Sequence, residues 1–163
     1  KPSPMMQTMI DQIKESFGED QTDAVCLHHR DGQDWHDHCD RWKAMSRSDG
    51  VYRGNCLGVP GQSFVRSLQN RGLTDSKIIY YCGDHDPPPG LSSHKVVSWR
   101  TDMSDENKKA LDKMKRGDLR DLYALVDFQV CGSIDHFIGN SVSTFSALQI
   151  AFREGDKSFW YNS

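Results

Sequence analysis

The stretch that most limits the fold of this chain is Asp135-His136-Phe137-Ile138-Gly139-Asn140-Ser141-Val142-Ser143-Thr144-Phe145-Ser146-Ala147. It reads as a short buried strand that stops at Gly139-Asn140 and turns through hydroxyl residues into a helix. A strand followed closely by a helix favours an α/β layer, because each element needs the other to bury its apolar face. The first N–H groups of that helix lack intrahelical partners, and the helix dipole adds partial positive charge there. The turn is therefore a ready anion site, and a phosphate-bearing ligand is the first expectation.

The rest of the chain fits the same pattern. Met6, Met9, Ile10, Ile13 and Phe17 recur at helical spacing, and Gly18 ends the run. Asp23-Ala24-Val25-Cys26-Leu27-His28-His29-Arg30 reads as a buried strand with a polar end. Ligands of open α/β sheets meet the C-terminal strand ends, which puts His28 and Arg30 where a site is expected. Residues Asp31 to Asp40 read as a polar loop leading into a short helix. His36, His38 and Cys39 offer metal-ligand chemistry. Residues two apart point to different sides of a helix, so a solvated polar connection is the simpler reading. Arg47 to Gly61 is loop-like, and Gln62 to Arg71 fits a helix with Phe64, Val65 and Leu68 inward. Lys77 to Cys82 is the second predicted strand. Pro87, Pro88 and Pro89 then enforce a loop, and His94 to Trp99 is the third strand. Ser104 to Arg116 reads as a charged helix, Asp118 to Ser133 as a more apolar one, Phe137-Ile138 as the fourth strand and Ser143 to Glu154 as the last helix. This alternation predicts an α/β fold with a parallel sheet and helices on both faces, in a single domain over residues 1–163. No GxGxxG follows a strand, so an ordinary dinucleotide site is not expected.

Composition narrows the functions. The net charge of −3 offers no large basic field, so nucleic acid is not an expected partner. The apolar runs are far shorter than a membrane span. The first residues, Lys1-Pro2-Ser3-Pro4, lack the apolar core of a secretory leader. Cys26, Cys82 and Cys131 lie in apolar segments and read as buried thiols. Cys39 and Cys56 flank a glycine-rich loop and can pair. Such a bridge would close a loop of roughly 17 residues and contribute about 3 kcal/mol by chain entropy.

Several residues stand out as chemistry. Arg30 can hold a phosphate with two donors and stays charged at any working pH. Ser143 and Thr144 offer hydroxyls and backbone N–H groups to the same anion. Asp127 lies in the apolar helix before the last strand. Each has a plainer role when taken alone. Arg30 fits a surface ion pair, Ser143 and Thr144 fit N-caps, Asp127 a solvated carboxylate, and His28 a hydrogen-bonded core histidine.

Two motifs add a family resemblance. Ala124-Leu125-Val126-Asp127-Phe128, continued by Asp135 to Ala147, resembles the C-terminal motif of the protein O-fucosyltransferases, closest to the type that modifies EGF-like repeats. Upstream, Leu27-His28-His29-Arg30 followed by Gly32-Gln33-Asp34-Trp35 and Cys39 resembles that family's His-x-Arg strand end, Asp-Trp and cysteine. The two motifs stand in the family's order and extend the resemblance from about Ala24 to Phe152. The Pro87-Pro88-Pro89 loop departs from the pattern.

The resemblance implies a Rossmann-like domain, the C-terminal half of a glycosyltransferase of the GT-B arrangement. It implies GDP-fucose as donor, no metal and no cofactor. Arg30 is then the catalytic residue that contacts the phosphates and stabilises departing GDP. His28 contacts the nucleotide, Asp127 reads guanine, and Ser143, Thr144 and Phe145 hold the phosphates and nucleotide. The family's cysteine after Asp-Trp is disulfide-bonded, which points to Cys39–Cys56. The implied reaction moves fucose to a Ser or Thr hydroxyl of a protein acceptor, such as an EGF-like repeat, with inversion, in the endoplasmic reticulum or secretory lumen. The family's N-terminal domain, which supplies part of the acceptor cleft, has no counterpart in this sequence. Two alternatives stay open: a nucleotide-sugar-binding module without catalysis, and a fucosyltransferase with a glycan acceptor.

Overall fold

The computed structural model describes residues 1–18, 23–43, 56, 62–76, 78–153 and 155–160. In chain order they form α1 (Pro4–Glu15), β1 (Ala24–His29), α2 (Gln33–Lys43), α3 (Gln62–Asn70), β2 (Ile78–Gly83), β3 (Lys95–Val97), α4 (Trp99–Asp102), α5 (Asp105–Leu111), α6 (Arg116–Gly132), β4 (His136–Gly139), α7 (Thr144–Ala151) and β5 (Ser158–Trp160). The strands make one parallel sheet in the order β3-β2-β1-β4-β5. This is the predicted α/β architecture.

Why the strands read as unbroken apolar runs is now plain. The central strands are covered on both faces, so neither side chain set faces water. Ala24, Cys26, Tyr80, Cys82 and Phe137 point to one face, where they pack against Met9 and Ile13 of α1 and Val126 and Val130 of α6. Val25, Leu27, Ile79, Tyr81 and Ile138 point to the other face, against Phe64 and Leu68 of α3. The alternation carries forward to the strand end. His28 emerges on the face of α6 and α7, and His29 on the face of α3, where it meets Tyr81 and Phe64.

Local chemistry sets the element ends. Ser3 caps α1 through its hydroxyl, which accepts the Met6 N–H, and Pro4 fits the first helical turn. Gly18 then takes a φ of 66°, the left-handed conformation that glycine adopts at low cost. The third strand is shorter than expected, because Trp99 already opens α4. The charged helix also ends early, at Leu111, and Lys115 takes extended backbone before α6 begins. β5 was not expected from the sequence. It pairs with β4 through Ser158, Phe159 and Trp160. Most of the loop expected over residues 47–61, and Lys77 and Glu154, lie outside the described residues.

The cysteines need one correction. Cys82 is a buried thiol as expected, but Cys26 and Cys131 are joined in a disulfide. Cys26 points from β1 into the layer that α6 covers, and Cys131 lies on the same buried stripe of α6 as Val130. Each looks like an apolar core residue in its own segment, and only the packing of helix on sheet brings them together. The second disulfide joins Cys39 to Cys56.

Candidate functional site

A cavity of about 480 Å³ opens at the C-terminal ends of β1 and β2, between them, α6 and the start of α7. Its lining includes His28, Arg30, Asp127, Ser143, Thr144 and Phe145, all six residues singled out as ligand-binding. Three elements converge here. β1 delivers His28 and Arg30, α6 runs antiparallel to the strands and presents Asp127, and α7 starts at Ser143.

The turn between β4 and α7 is tightly built. A Cβ at Gly139 would collide with the Ser146 hydroxyl, so glycine here lets α7 sit close on the strand end. The Asn140 N–H donates to Ser146 Oγ at 3.1 Å, and the Asn140 side-chain oxygen accepts the Val142 N–H at 2.9 Å. Ser143 takes extended backbone at the N-cap position, but its hydroxyl makes no capping bond among the described residues. Ser143 lines the cavity beside Thr144. The Thr144, Phe145 and Ser146 amides belong to the first turn and have no carbonyl partner within the helix.

His28 is buried and lies 2.8 Å from Ser146 through Nδ1. Burial, reinforced by the Arg30 and His29 charges, pushes its pKa down to about 3, so the ring is neutral. The Ser146 hydroxyl already accepts the Asn140 N–H, which leaves its own hydrogen to donate to Nδ1; in that tautomer Nε2 carries the ring proton and is a donor. The ring stacks on Phe145, with centroids 4.3 Å apart and 24° between planes.

Arg30 is held between two carboxylates. It donates through Nη2 to Asp34 at 2.5 Å and through Nη1 to Asp84. Its guanidinium lies 5.6 Å from the Trp35 ring centroid. Two of its five N–H donors are used by the carboxylates, which leaves donors for an anion. A Cβ at Gly32 would lie 2.6 Å from Asp84 Oδ2 and 2.7 Å from Asp34 Oδ1, so the cluster packs directly on that glycine. The Asp84 carbonyl also accepts a hydrogen bond from Arg100.

Asp127 is not a solvated carboxylate. It is 6% exposed, and its Oδ1 accepts the Tyr80 hydroxyl at 2.5 Å. Burial pushes its pKa up to about 7, against the hydrogen bonds of Tyr80 and Cys82 that favour the ion. The same environment raises the Tyr80 hydroxyl and the Cys82 thiol, through burial first and the Asp127 charge second. Beside it, Trp99 and Tyr123 stack with centroids 3.6 Å apart and form an apolar wall of the cavity.

Sequence reasoning missed Asp84, Trp99 and Tyr123. Asp84 could have been found, since it directly follows β2 just as Arg30 follows β1. Trp99 and Tyr123 carry no such signal, because they meet only when α4 packs beside α6. The potential metal donors are engaged elsewhere: Cys39 is in a disulfide, His36 bonds Asp31 at 2.7 Å, and His38 stacks on Trp35.

No family model and no curated protein sequence matches the chain. Solved structures do. The crystal structure of POFUT1 in complex with GDP aligns with 14% identity and a TM-score of 0.61, covering 96% of this chain and 48% of that one. The POFUT1 apo-form aligns with 16% identity and a TM-score of 0.59, covering 96% and 46%. The complex with GDP-fucose aligns with 16% identity and a TM-score of 0.55, covering 96% and 47%. The fold is thus that of one half of POFUT1, protein O-fucosyltransferase 1, a glycosyltransferase. The chain spans about half the length of the solved chains it matches.

Proposed function

We propose that this chain is the donor-binding, C-terminal half of a peptide O-fucosyltransferase and holds GDP-fucose in the cavity described above. The observation that carries the reading is the convergence of Arg30 and the N-terminus of α7 on one cavity whose far wall presents a buried carboxylate, Asp127. A diphosphate needs the first pair and a guanine edge needs the second. The likeness to structures of POFUT1 with GDP and GDP-fucose supports the same ligand.

In this reading the diphosphate takes the free donors of Arg30, the Ser143 and Thr144 hydroxyls and the first amides of α7. The neutral His28 donates from Nε2 and Phe145 backs the nucleotide. Ionised Asp127 accepts the two N–H donors on the guanine edge, which adenine and uracil do not present in that arrangement. Transfer breaks the bond between the fucose anomeric carbon and the GDP oxygen, and negative charge grows on that oxygen. Arg30 and the helix N-terminus are fixed before the reaction, so they stabilise the growing charge without reorganising. A Ser or Thr hydroxyl of the acceptor attacks the opposite face and the anomeric configuration inverts. Neither a metal nor a cofactor is part of this scheme. The acceptor, an EGF-like repeat in this reading, would be held largely by a second domain. Two disulfides support an oxidising compartment, and the reading assigns the protein to the endoplasmic reticulum or secretory lumen.

Calorimetric titration with GDP, GDP-fucose, UDP and ADP tests the donor. Selective binding of the guanine ligands is expected, and equal or absent binding refutes the reading. Incubation with GDP-fucose and an EGF-like acceptor, with and without the complementary domain, then distinguishes a transferase from a binding module.

A further inference from the structure

One carbonyl ties the two walls of the phosphate seat together. Cys56 O accepts the indole N–H of Trp35 at 2.9 Å and the side-chain amide N–H of Asn140 at 2.9 Å, and both bonds are buried. Trp35 lies beside the Arg30 guanidinium. Asn140 shapes the turn that presents Ser143, through its contacts with Val142 and Ser146. Val142 also packs against the small cluster of Trp35, Cys39 and Cys56. Cys56 is held in place by its disulfide to Cys39 on α2.

We infer that the Cys39–Cys56 disulfide is a positioning device for the phosphate seat, acting through the Cys56 carbonyl on Trp35 and Asn140. This rests on the donor-site reading above. The two disulfides then have separate roles. Cys26–Cys131 crosslinks β1 to α6 within the core and touches neither wall. Cys39–Cys56 sets the spacing between Arg30 and the start of α7. Without it, the carbonyl loses its fixed position and the two sets of phosphate donors no longer converge. The base end of the cavity, at Asp127, is built on β2 and α6 and is not braced by this bond.

The test compares GDP with guanosine, which lacks the phosphates. In the C39S/C56S variant, GDP affinity is expected to fall about tenfold, the effect of losing roughly one buried hydrogen bond, while guanosine affinity stays within about twofold. Trp35→Phe removes the indole donor together with part of the ring beside Arg30, and should shift the same ratio in the same direction. Adding it to C39S/C56S should give less than the product of the two effects, because both act through one carbonyl. C26S/C131S should lower the melting temperature and leave the GDP-to-guanosine ratio unchanged. The inference is overturned if folded C39S/C56S and Trp35→Phe weaken GDP and guanosine equally, or weaken neither. If the wild-type chain binds neither ligand, the donor-site reading fails on its own. Hydrogen exchange then decides the brace: faster exchange at the amides of residues 143–146 in C39S/C56S, with β1 and β2 unchanged, supports it, and unchanged exchange there overturns it.

Discussion

Asp127→Asn is expected to stabilise the empty protein while destroying its affinity for GDP. The carboxyl is buried and titrates near 7 rather than in the ordinary range near 3.8. A folded pKa raised in this way contributes stability that is complete below the unfolded pKa and is lost as pH rises through the folded one. The protonated group therefore fits the fold below about pH 4, and its ionisation costs about 4 kcal/mol once the pH is above about 7. An amide is never ionised and still accepts the Tyr80 hydroxyl. Its new N–H groups need partners, so roughly half of that, about 2 kcal/mol, is the expected gain at pH 8. For a chain of this length the gain corresponds to a rise of about 4–8 °C in melting temperature. At pH 5 the gap should shrink, because wild-type Asp127 is then mostly protonated.

Circular dichroism melts of both proteins at pH 5 and pH 8 make the measurement. The difference between the two curves matters, since buried neutral His28 imposes its own loss of stability as pH falls below about 6.5 in both proteins. Titration with GDP at pH 8 completes the assay. Losing two hydrogen bonds to a charged acceptor should weaken binding by about a hundredfold or more. Wild-type affinity should itself decline below about pH 7, because only the carboxylate accepts both guanine donors. A variant that melts lower than wild type at pH 8, or a gap that does not grow from pH 5 to pH 8, would refute this reasoning.

Other perturbations act on the phosphate end. Arg30→Ala should lower transfer by the complete enzyme about 10²- to 10³-fold, the usual effect of removing a preorganised donor at a developing anion, with an unchanged far-ultraviolet spectrum. Near-normal turnover would remove Arg30 from the chemistry. Asp84→Asn relieves Arg30 of one competing carboxylate, so GDP should bind severalfold more tightly by calorimetry. Weaker binding would instead make Asp84 the residue that holds Arg30 in place. Gly32→Ala drives a methyl group into the Asp34 and Asp84 carboxylates. It should weaken GDP binding more than it lowers the melting temperature, and equal losses would count against a local effect.

The sheet was legible because its strands are covered on both faces and so read as apolar runs of strand length, with helical periods between them. The positions of His28 and Arg30 followed from chain direction alone, since parallel strands put their C-terminal ends on one edge. What stayed hidden depends on contacts across layers. Asp127 looks like any helix carboxylate until Tyr80 and Cys82 are placed under it by the pairing of β1 with β2. Cys26 and Cys131 are 105 residues apart and resemble ordinary core residues. β5 was too short and too polar at its start to register. Asp84 was within reach of the strand-end rule, but its Gly-Asp-His-Asp surroundings read as loop filler before the prolines.

The strand order has a consequence for how the protein acquires its site. β1 lies beside β4, and Val25 is in register with His136 across more than a hundred residues of chain. The cavity therefore does not exist until β4 and α7 have been made and have docked against a strand formed more than a hundred residues earlier. Pairings of this kind are slow, because a large loop must close before any contact rewards it. A ligand that binds only the finished sheet draws maturing molecules toward the native state by mass action. On the donor-site reading, donor present during synthesis would thus act as a folding aid, and its capture would mark the chains in which β4 and α7 have docked beside β1.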